Sequence, residues 1–288
     1  MKTVGGMANR QIARDLKVNP GTVDRHLQRM ARHCLLFHSK QMIDSPPFKE
    51  IVADGFESFE LSQYYPFHHH VAVEKGTDFF IHFTDSALRR KGQKTAFQKK
   101  RMIELEARYG RPDPQAIRKD MQHLLEVVLQ GQVSAVLHTD AHKSYLRAIR
   151  DTDCEIEHVV TPGKNHRDKH NKLWEVNLLD LLIRHSGANH KRETIAFSKR
   201  RQSSSERMAI FLVWRNYIKR RREKDRASQT PAMMRGMLDR KLDVDDVFSE
   251  RIFRNHIELP LRWAEYYCRR VKTRAIGRNS EHSLSYAE

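Results

Sequence analysis

The chain has 288 residues, room for one large domain or one domain with a small appendage, and its 39% hydrophobic content suffices for a real core. Its 53 Lys+Arg outweigh 36 Asp+Glu for a net +17, a surplus that points to a polyanion, above all nucleic acid. No apolar run is long enough to span a bilayer and no signal-peptide core follows Met1, so a membrane role is not expected. Cys34, Cys154 and Cys268 lie far apart without Cys-x-x-Cys spacing. That excludes a disulfide framework and a cysteine zinc site, and fits a reducing cytoplasm.

Residues 1–40 read as helical. Ile12, Ala13 and Leu16 form an apolar stripe on a short helix starting near Asn9, and Lys17 and Val18 make a tight connection. Asn19 then supplies an N-cap with Pro20 at the first helical position. Val23, Leu27 and Met30 continue the buried face, leaving Thr22, Arg25 and Arg29 on the opposite one. Two short helices, a tight turn and a basic second helix describe a helix-turn-helix, with Thr22, Arg25 and Arg29 as the DNA-reading residues. A generic helical hairpin is the competing description. The motif begins too near Met1 for a supporting first helix, so a shortened N-terminus is expected.

"IDSPPFKEI" interrupts the helical pattern with two prolines and marks a linker, placed at 41–48, and strand signals follow. "KEIVADGFESFEL" carries a β-rich run ending at Asp54, and "HHHVAVEK" and "DFFIHFTDSALR" form a hairpin joined by Lys75, Gly76 and Thr77. The basic stretch "RRKGQKTAFQKKR" leads into a helical region from about Met102 to Leu129, broken near Gly110 to Pro114. "SAVLHTD" is a fourth strand, "EIEHVVTP" a fifth, and Leu173 to Arg226 again reads as helical. This order predicts an α/β domain over 49–226 on the ribonuclease-H-like plan, a mixed five-stranded sheet flanked by helices. Residues 227–288 read as a charged helical or irregular tail.

Asp54 and Asp140 close the first and fourth strands, which are neighbours in such a sheet, so their carboxylates would converge. An Asp at a strand exit also makes a good helix N-cap, and that role stays open for Asp140. Converging carboxylates raise each other's pKa unless a cation sits between them. Mg2+ meets that need, being a hard ion that takes one or two carboxylates plus substrate phosphate. Two such ions about 3.5–4 Å apart stabilise the attacking and leaving oxygens of an in-line phosphoryl displacement. Mn2+ is the natural substitute.

The stretches "ADGFESFE", "AVEKGTDFFIHFTDSALRRKG", "LHTDAHKSY", "VNLLDLLIRHSGANHKRETIAFSKR" and "SERMAIFLVWRNY" resemble the DDE transposases of bacterial insertion sequences, in the branch related to insertion element one. The resemblance spans roughly Lys49 to Tyr217, and its motifs are specific as a set. It implies a nuclease-like core that cuts transposon ends and joins the freed 3′-hydroxyl to target DNA. It also implies duplex DNA as partner, a homo-oligomer assembled on that DNA, and a bacterial or archaeal cytoplasm with nucleoid association.

The third metal ligand departs from the family pattern, which places a Glu on the helix after the fifth strand with Lys or Arg seven residues on. The resemblance puts Asn177 in that place, with Arg184 seven later. Asp180 lies one turn further along, and "NLLD" resembles the N-x-x-E of other insertion-sequence transposases. Asp180 is therefore the expected third carboxylate, assisted by Asn177, and Glu193 and Glu175 are weaker candidates. If Asn177 alone fills the slot, the enzyme would be feeble.

Of the three histidines at 68–70, only His68 and His70 share a strand face, which favours polar residues near a strand start over a metal cluster. Phe79, Phe80, Phe83 and Trp214 read as core. Lys191 to Arg226 holds 13 Lys+Arg against 4 Asp+Glu with interleaved aromatics, which favours phosphate contacts by Lys191, Arg192, Lys199 and Arg200, alongside Arg184. The expected function is transposition, with a decayed DNA-binding relative acting as an inhibitor as the alternative. A basic nuclease unrelated to transposition is a third reading.

Overall fold

The computed structural model describes residues 1–276 and Glu281; the remainder of the expected tail, 277–280 and 282–288, lies outside the described residues. Helix α1 (Asn9–Asp15) turns through Lys17, whose φ is 53°, into α2 (Pro20–Met42). Asn19 caps α2 by accepting from the Gly21 N–H at 2.8 Å, as its side chain and the following Pro20 dictate. Ile12, Ala13, Val23 and Leu27 are buried, but Leu16 is 52% exposed and drops out of the expected stripe. Helix α2 runs for 23 residues, and its turn Cys34–His38 is buried on every side. Such a helix belongs inside a core, and α2 packs along α7 (Arg201–Val213).

The sheet comprises β1 (Glu50–Phe59), β2 (Pro66–Glu74), β3 (Phe80–Ala87), β4 (Ser134–Asp140) and β5 (Glu155–Thr161) in the order β3-β2-β1-β4-β5. β1, β2 and β3 are antiparallel, whereas β4 and β5 run parallel to β1. This mixed sheet with flanking helices is the ribonuclease-H-like plan. The β2–β3 hairpin turns where expected, with Gly76 at φ 84°. Helices α3 (Ala96–Tyr109) and α4 (Ala116–Val128) follow, then α5 (Lys143–Arg150) after β4 and α6 (Trp174–Ser186) after β5. Helix α4 packs on β2 and β3, and α6 on β1 and β2.

β1 is the central strand, and Ile51, Val52 and Ala53 are fully buried, the mark of a strand covered on both faces. The pleat of β2 sends His69 to one face, where it meets the Ser204 hydroxyl of α7 at 2.9 Å. His70 goes to the other, 2.8 Å from the Ser86 hydroxyl. These histidines are therefore not polar residues at a strand start. β2 lies between two strands and two helix layers, and burial pushes the imidazole of His69 down to about 4. Phe79, Phe80 and Phe83 are core as expected, and the half-buried Trp214 packs against Phe211.

The helical pattern from Leu173 breaks at Gly187, where a Cβ would meet the His190 ring at 2.9 Å. Residues 187–200 are irregular, and α7 passes into a π-helical turn at Trp214–Ile218. That turn aims Asn216 at the edge strand β3, accepting from Phe80 N and donating to Phe80 O, both at 2.8 Å. Trp263 of α10 (Leu261–Tyr267) likewise donates to Phe83 O at 3.0 Å. Side chains thus close an edge that would otherwise offer open backbone groups. Between them lie α8 (Pro231–Met234) and α9 (Val244–Ser249), and one continuous core runs from Val4 to Val271. Among the described residues, no helix is long and apolar enough to cross a membrane.

Candidate active site

β1 does not end at Asp54, as the sequence suggested, but continues to Phe59 because β2 pairs with it along that whole length. What ends near Asp54 is its pairing with β4, last registered at Val52 opposite His138. Two residues further along both strands, Asp54 and Asp140 occupy equivalent places where β4 stops. On the other side of β1, Gly55 lets β2 pass close, since a Cβ there would lie 2.0 Å from His69 O and 2.8 Å from the His68 ring.

Asp140 accepts from the His142 N–H at 3.0 Å, but it does not cap α5. His142 is the N-cap, its Nδ1 accepting from Ser144 N at 3.3 Å. The carboxylate of Asp140 orders the turn before the helix and is not consumed by the helix itself.

Helix α6 brings the third carboxylate. Burial raises the Asp54 carboxyl to about 7, and the charges of Asp140 and Asp180 push in the same direction, opposed by the Gly55 N–H and Arg167. Burial also lifts Asp180 to about 6, against the pull of Arg184, Arg167 and Arg192. Arg184, one turn from Asp180, lies with its guanidinium 4.8 Å from the Phe56 ring centroid. Tyr145 of α5 is fully buried within the field of all three aspartates. The structure thus places Asp140 and Asp180 within electrostatic reach of Asp54.

Buried acids elsewhere are compensated. Burial pushes the Asp85 carboxyl up, but Arg262 at 2.9 Å and Arg201 at 3.1 Å more than offset it and hold the group well below the usual carboxylate range. Burial raises Asp120 to about 6, yet its Oδ2 accepts from Ser86 at 2.8 Å. Asp180 feels three arginines but has no ion pair with any of them, and its Oδ1 is buried without a hydrogen-bond partner. An orphaned buried carboxylate oxygen costs stability unless a cation or donor completes it.

Among the described residues, no group of three or more His, Cys, Asp or Glu side chains is gathered tightly enough to hold a metal ion. The donor types still suit a hard divalent cation, since Asp54 feels the charges of Asp140 and Asp180 and one buried oxygen of Asp180 is open. Asn177, half-buried on α6, sits one turn before Asp180. Glu175 accepts instead from Gly76 N at the β2–β3 hairpin, at 3.4 Å. Glu193 is exposed on an irregular segment with φ 52°, so its spacing to Arg200 sets up no shared helix face.

The basic residues divide. Lys191, Arg192 and Lys199 are exposed, Arg200 precedes α7, and the Lys199 ammonium lies 3.5 Å from the Phe197 ring centroid. Arg201, Arg215 and Arg221 in the same run are tied to Asp85 or Asp78 inside the fold. Arg25 and Arg29 are exposed on α2, and Arg25 donates to Thr22 Oγ1 at 3.1 Å. Arg167 and Tyr145 escaped the sequence reading. Arg167 sits in the basic loop "PGKNHRDKH", and Tyr145 five residues after Asp140 in "LHTDAHKSY".

No protein-family model and no curated protein matches the chain. Low-similarity overlays exist with solved structures. One is a chain of the simian T-cell lymphotropic virus intasome complex with a PP2A regulatory subunit, at 15% identity and TM-score 0.29, covering 66% of this chain and 54% of that one. This chain therefore spans about half the length of that match. The HTLV-2 integrase catalytic core with magnesium overlays at 10% identity and TM-score 0.25, covering 66% and 95%. The Mos1 transposase catalytic domain with raltegravir and manganese overlays at 11% identity and TM-score 0.27, covering 86% and 96%. Strand order β3-β2-β1-β4-β5 and the parallel run of β1, β4 and β5 define the fold.

Proposed function

We propose that the chain is a DNA transposase of the DDE type, of the insertion-sequence branch related to insertion element one, that cleaves element ends and transfers the freed strand. The observation carrying this reading is the equivalent placement of Asp54 and Asp140 on neighbouring strands of a ribonuclease-H-like sheet, with Asp180 of α6 in electrostatic reach of Asp54 and without the arginine pairing given to Asp85. Those three residues would hold Mg2+ or Mn2+, and Asn177 would assist through its amide oxygen. Two bound ions would supply the charge that activates the attacking oxygen and stabilises the leaving one.

The chain's own residues supply position and field. Asp140 orders the β4–α5 turn by accepting from His142 N, which fixes its carboxylate beside β1. Arg184 and Arg167 temper the negative charge around Asp180 and offer phosphate contacts at the site's rim. Thr22, Arg25 and Arg29 on α2 read the element end as a helix-turn-helix, and Lys191, Arg192, Lys199 and Arg200 contact phosphates. The partner is duplex DNA, both end and target, on which a homo-oligomer assembles in a bacterial or archaeal cytoplasm.

A second reading, a catalytically silent DNA-binding relative that acts as an inhibitor, draws on Asn177 occupying the place of the family's Glu. The two part on one experiment. The first predicts that Asp140→Asn abolishes magnesium-dependent nicking of DNA bearing the gene's flanking inverted repeats while gel-shift affinity stays nearly intact. Undiminished cleavage by that variant sinks the metal-site assignment, and no cleavage by the unmodified chain favours the second reading.

A further inference from the structure

The segment "RRKGQKTAFQKKR", residues 89–101, carries seven Lys+Arg and no acidic residue. It runs from the end of β3 into α3, a helix that buries only Met102. The two arginines that open it are spent on anchorage. Arg89 donates to Glu106 at 2.6 Å, and Arg90 lies 5.3 Å from the Tyr64 ring centroid and donates to Gln98 at 3.3 Å. Lys94 ties the turn by donating to Arg90 O at 3.2 Å and Gly92 O at 3.0 Å. Thr95 and Gln98 form a capping box that fixes the first turn of α3.

This anchorage leaves Lys91, Lys99 and Lys100 exposed on a firmly held frame, with Phe97 beside them at 75% exposure. A lone exposed apolar residue needs no explanation. An aromatic ring set among uncompensated cations is a different case, since it serves nucleic acid through base stacking while the cations follow the backbone. The position supports the same partner: β3 runs parallel to β1, because β2 is antiparallel to both, so the segment leaves the sheet at the end where Asp54 and Asp140 lie.

We propose that residues 89–101 form a DNA-docking arm, in which Lys91, Lys99 and Lys100 track the phosphates of the strand leading to the carboxylates and Phe97 stacks on an unpaired base of that DNA. Charge complementarity with a polyanion and departure from the carboxylate end of the sheet select this occupant. The inference rests on the proposed DNA-processing function.

Fluorescence anisotropy of the full chain in EDTA tests the arm without cleavage, using a blunt mixed-sequence duplex and the same duplex with a short unpaired 3′ tail. A Lys91→Ala/Lys99→Ala/Lys100→Ala variant should weaken both probes and reduce the slope of log K against log salt by about 2–3, given roughly 0.9 per phosphate contact. Phe97→Ala should weaken the tailed probe about 5- to 100-fold with little effect on the blunt one, and Phe97→Trp should keep the preference. Melting temperatures should not move, since all four side chains are exposed. An unchanged salt slope in the triple variant, or equal or no loss on the two probes with Phe97→Ala, overturns the arm. So does Phe97-dependent binding to phosphatidylcholine–phosphatidylserine vesicles in place of DNA. A chain that cleaves in Mg2+ but binds DNA without regard to these residues overturns the arm alone. One that binds as expected yet never cleaves supports the arm and overturns the catalytic reading alone.

Discussion

The carboxylate of Asp180 on α6 lies close enough to Asp54 on β1 for its charge to push the Asp54 carboxyl upward. Neither is paired with arginine in the way Asp85 is, so their burial is a stability cost that a cation can remove.

That cost has a pH signature. A carboxyl whose folded pKa lies above its unfolded value makes the native state bind more protons, so stability falls as pH rises through the gap. For Asp54 the gap runs from about 4 to about 7, and Asp180, raised to about 6, adds in the same window. In metal-free buffer the melting temperature should therefore drop between pH 5 and pH 8, by an amount on the order of 2 kcal/mol or about 5 °C. Asp54→Asn should flatten that decline. A variant that melts with the same pH slope as the unmodified chain would show that Asp54 is not the group responsible.

Divalent metal should act in the opposite sense. Adding Mg2+ or Mn2+ at pH 8 should raise the melting temperature by several degrees, and at pH 5 by much less, because protons then compete for the same oxygens. Asp140→Asn should shrink the gain at pH 8. Calorimetric titration offers a second readout, and an undiminished binding heat in Asp140→Asn would rule that carboxylate out as a ligand.

The third carboxylate separates by substitution. Asp180→Ala should raise the magnesium requirement and nearly eliminate strand transfer, Asn177→Ala should do so less severely, and Asn177→Glu should preserve or increase activity. Glu193→Gln should at most weaken DNA affinity, as its exposed position on an irregular segment suggests. Full activity in Asp180→Ala with none in Asn177→Ala would leave a site of two aspartates and an amide.

Gly55 is a steric requirement that follows from the close approach of β2 to β1. Gly55→Ala would drive a methyl group into His69 O, and neither backbone can retreat without breaking the β1–β2 ladder. We expect a loss of about 3 kcal/mol or more, read as a melting temperature lowered by roughly 6–12 °C or as insoluble protein. A variant with unchanged melting would mean that β2 yields there.

End recognition is tested on α2. Replacing Arg25 and Arg29 with Ala should weaken binding to the element's inverted repeat more than to random duplex, since base contacts specify whereas phosphate contacts only position. Equal loss on both probes would reduce the two arginines to phosphate contacts.

Much of the architecture is written locally. Alternation along "HHHVAVEK", the glycine turn at Gly76 and the Asn19–Pro20 start of α2 are short-range signals, and each element appears where those signals put it. The aspartates at 54 and 140 were legible too, because a polar group beside a buried apolar run stands out. Other features depended on distant partners. The sequence suggested a strand end at Asp54, but β2 stays paired with β1 to Phe59, seven residues past the last β4 pair at Val52, so the strand continues. The exposure of Leu16 and the burial of His69 and His70 likewise depend on which surface covers them. The run after Lys191 looked uniformly available to phosphate, whereas Asp78 and Asp85, remote in sequence, claim its arginines. Helical spacing put Asn177, Asp180 and Arg184 on one side of α6, but only the packing of α6 against β1 and β2 turned that side toward Asp54. A face of a helix is a local property; the carboxylate it meets is decided by docking.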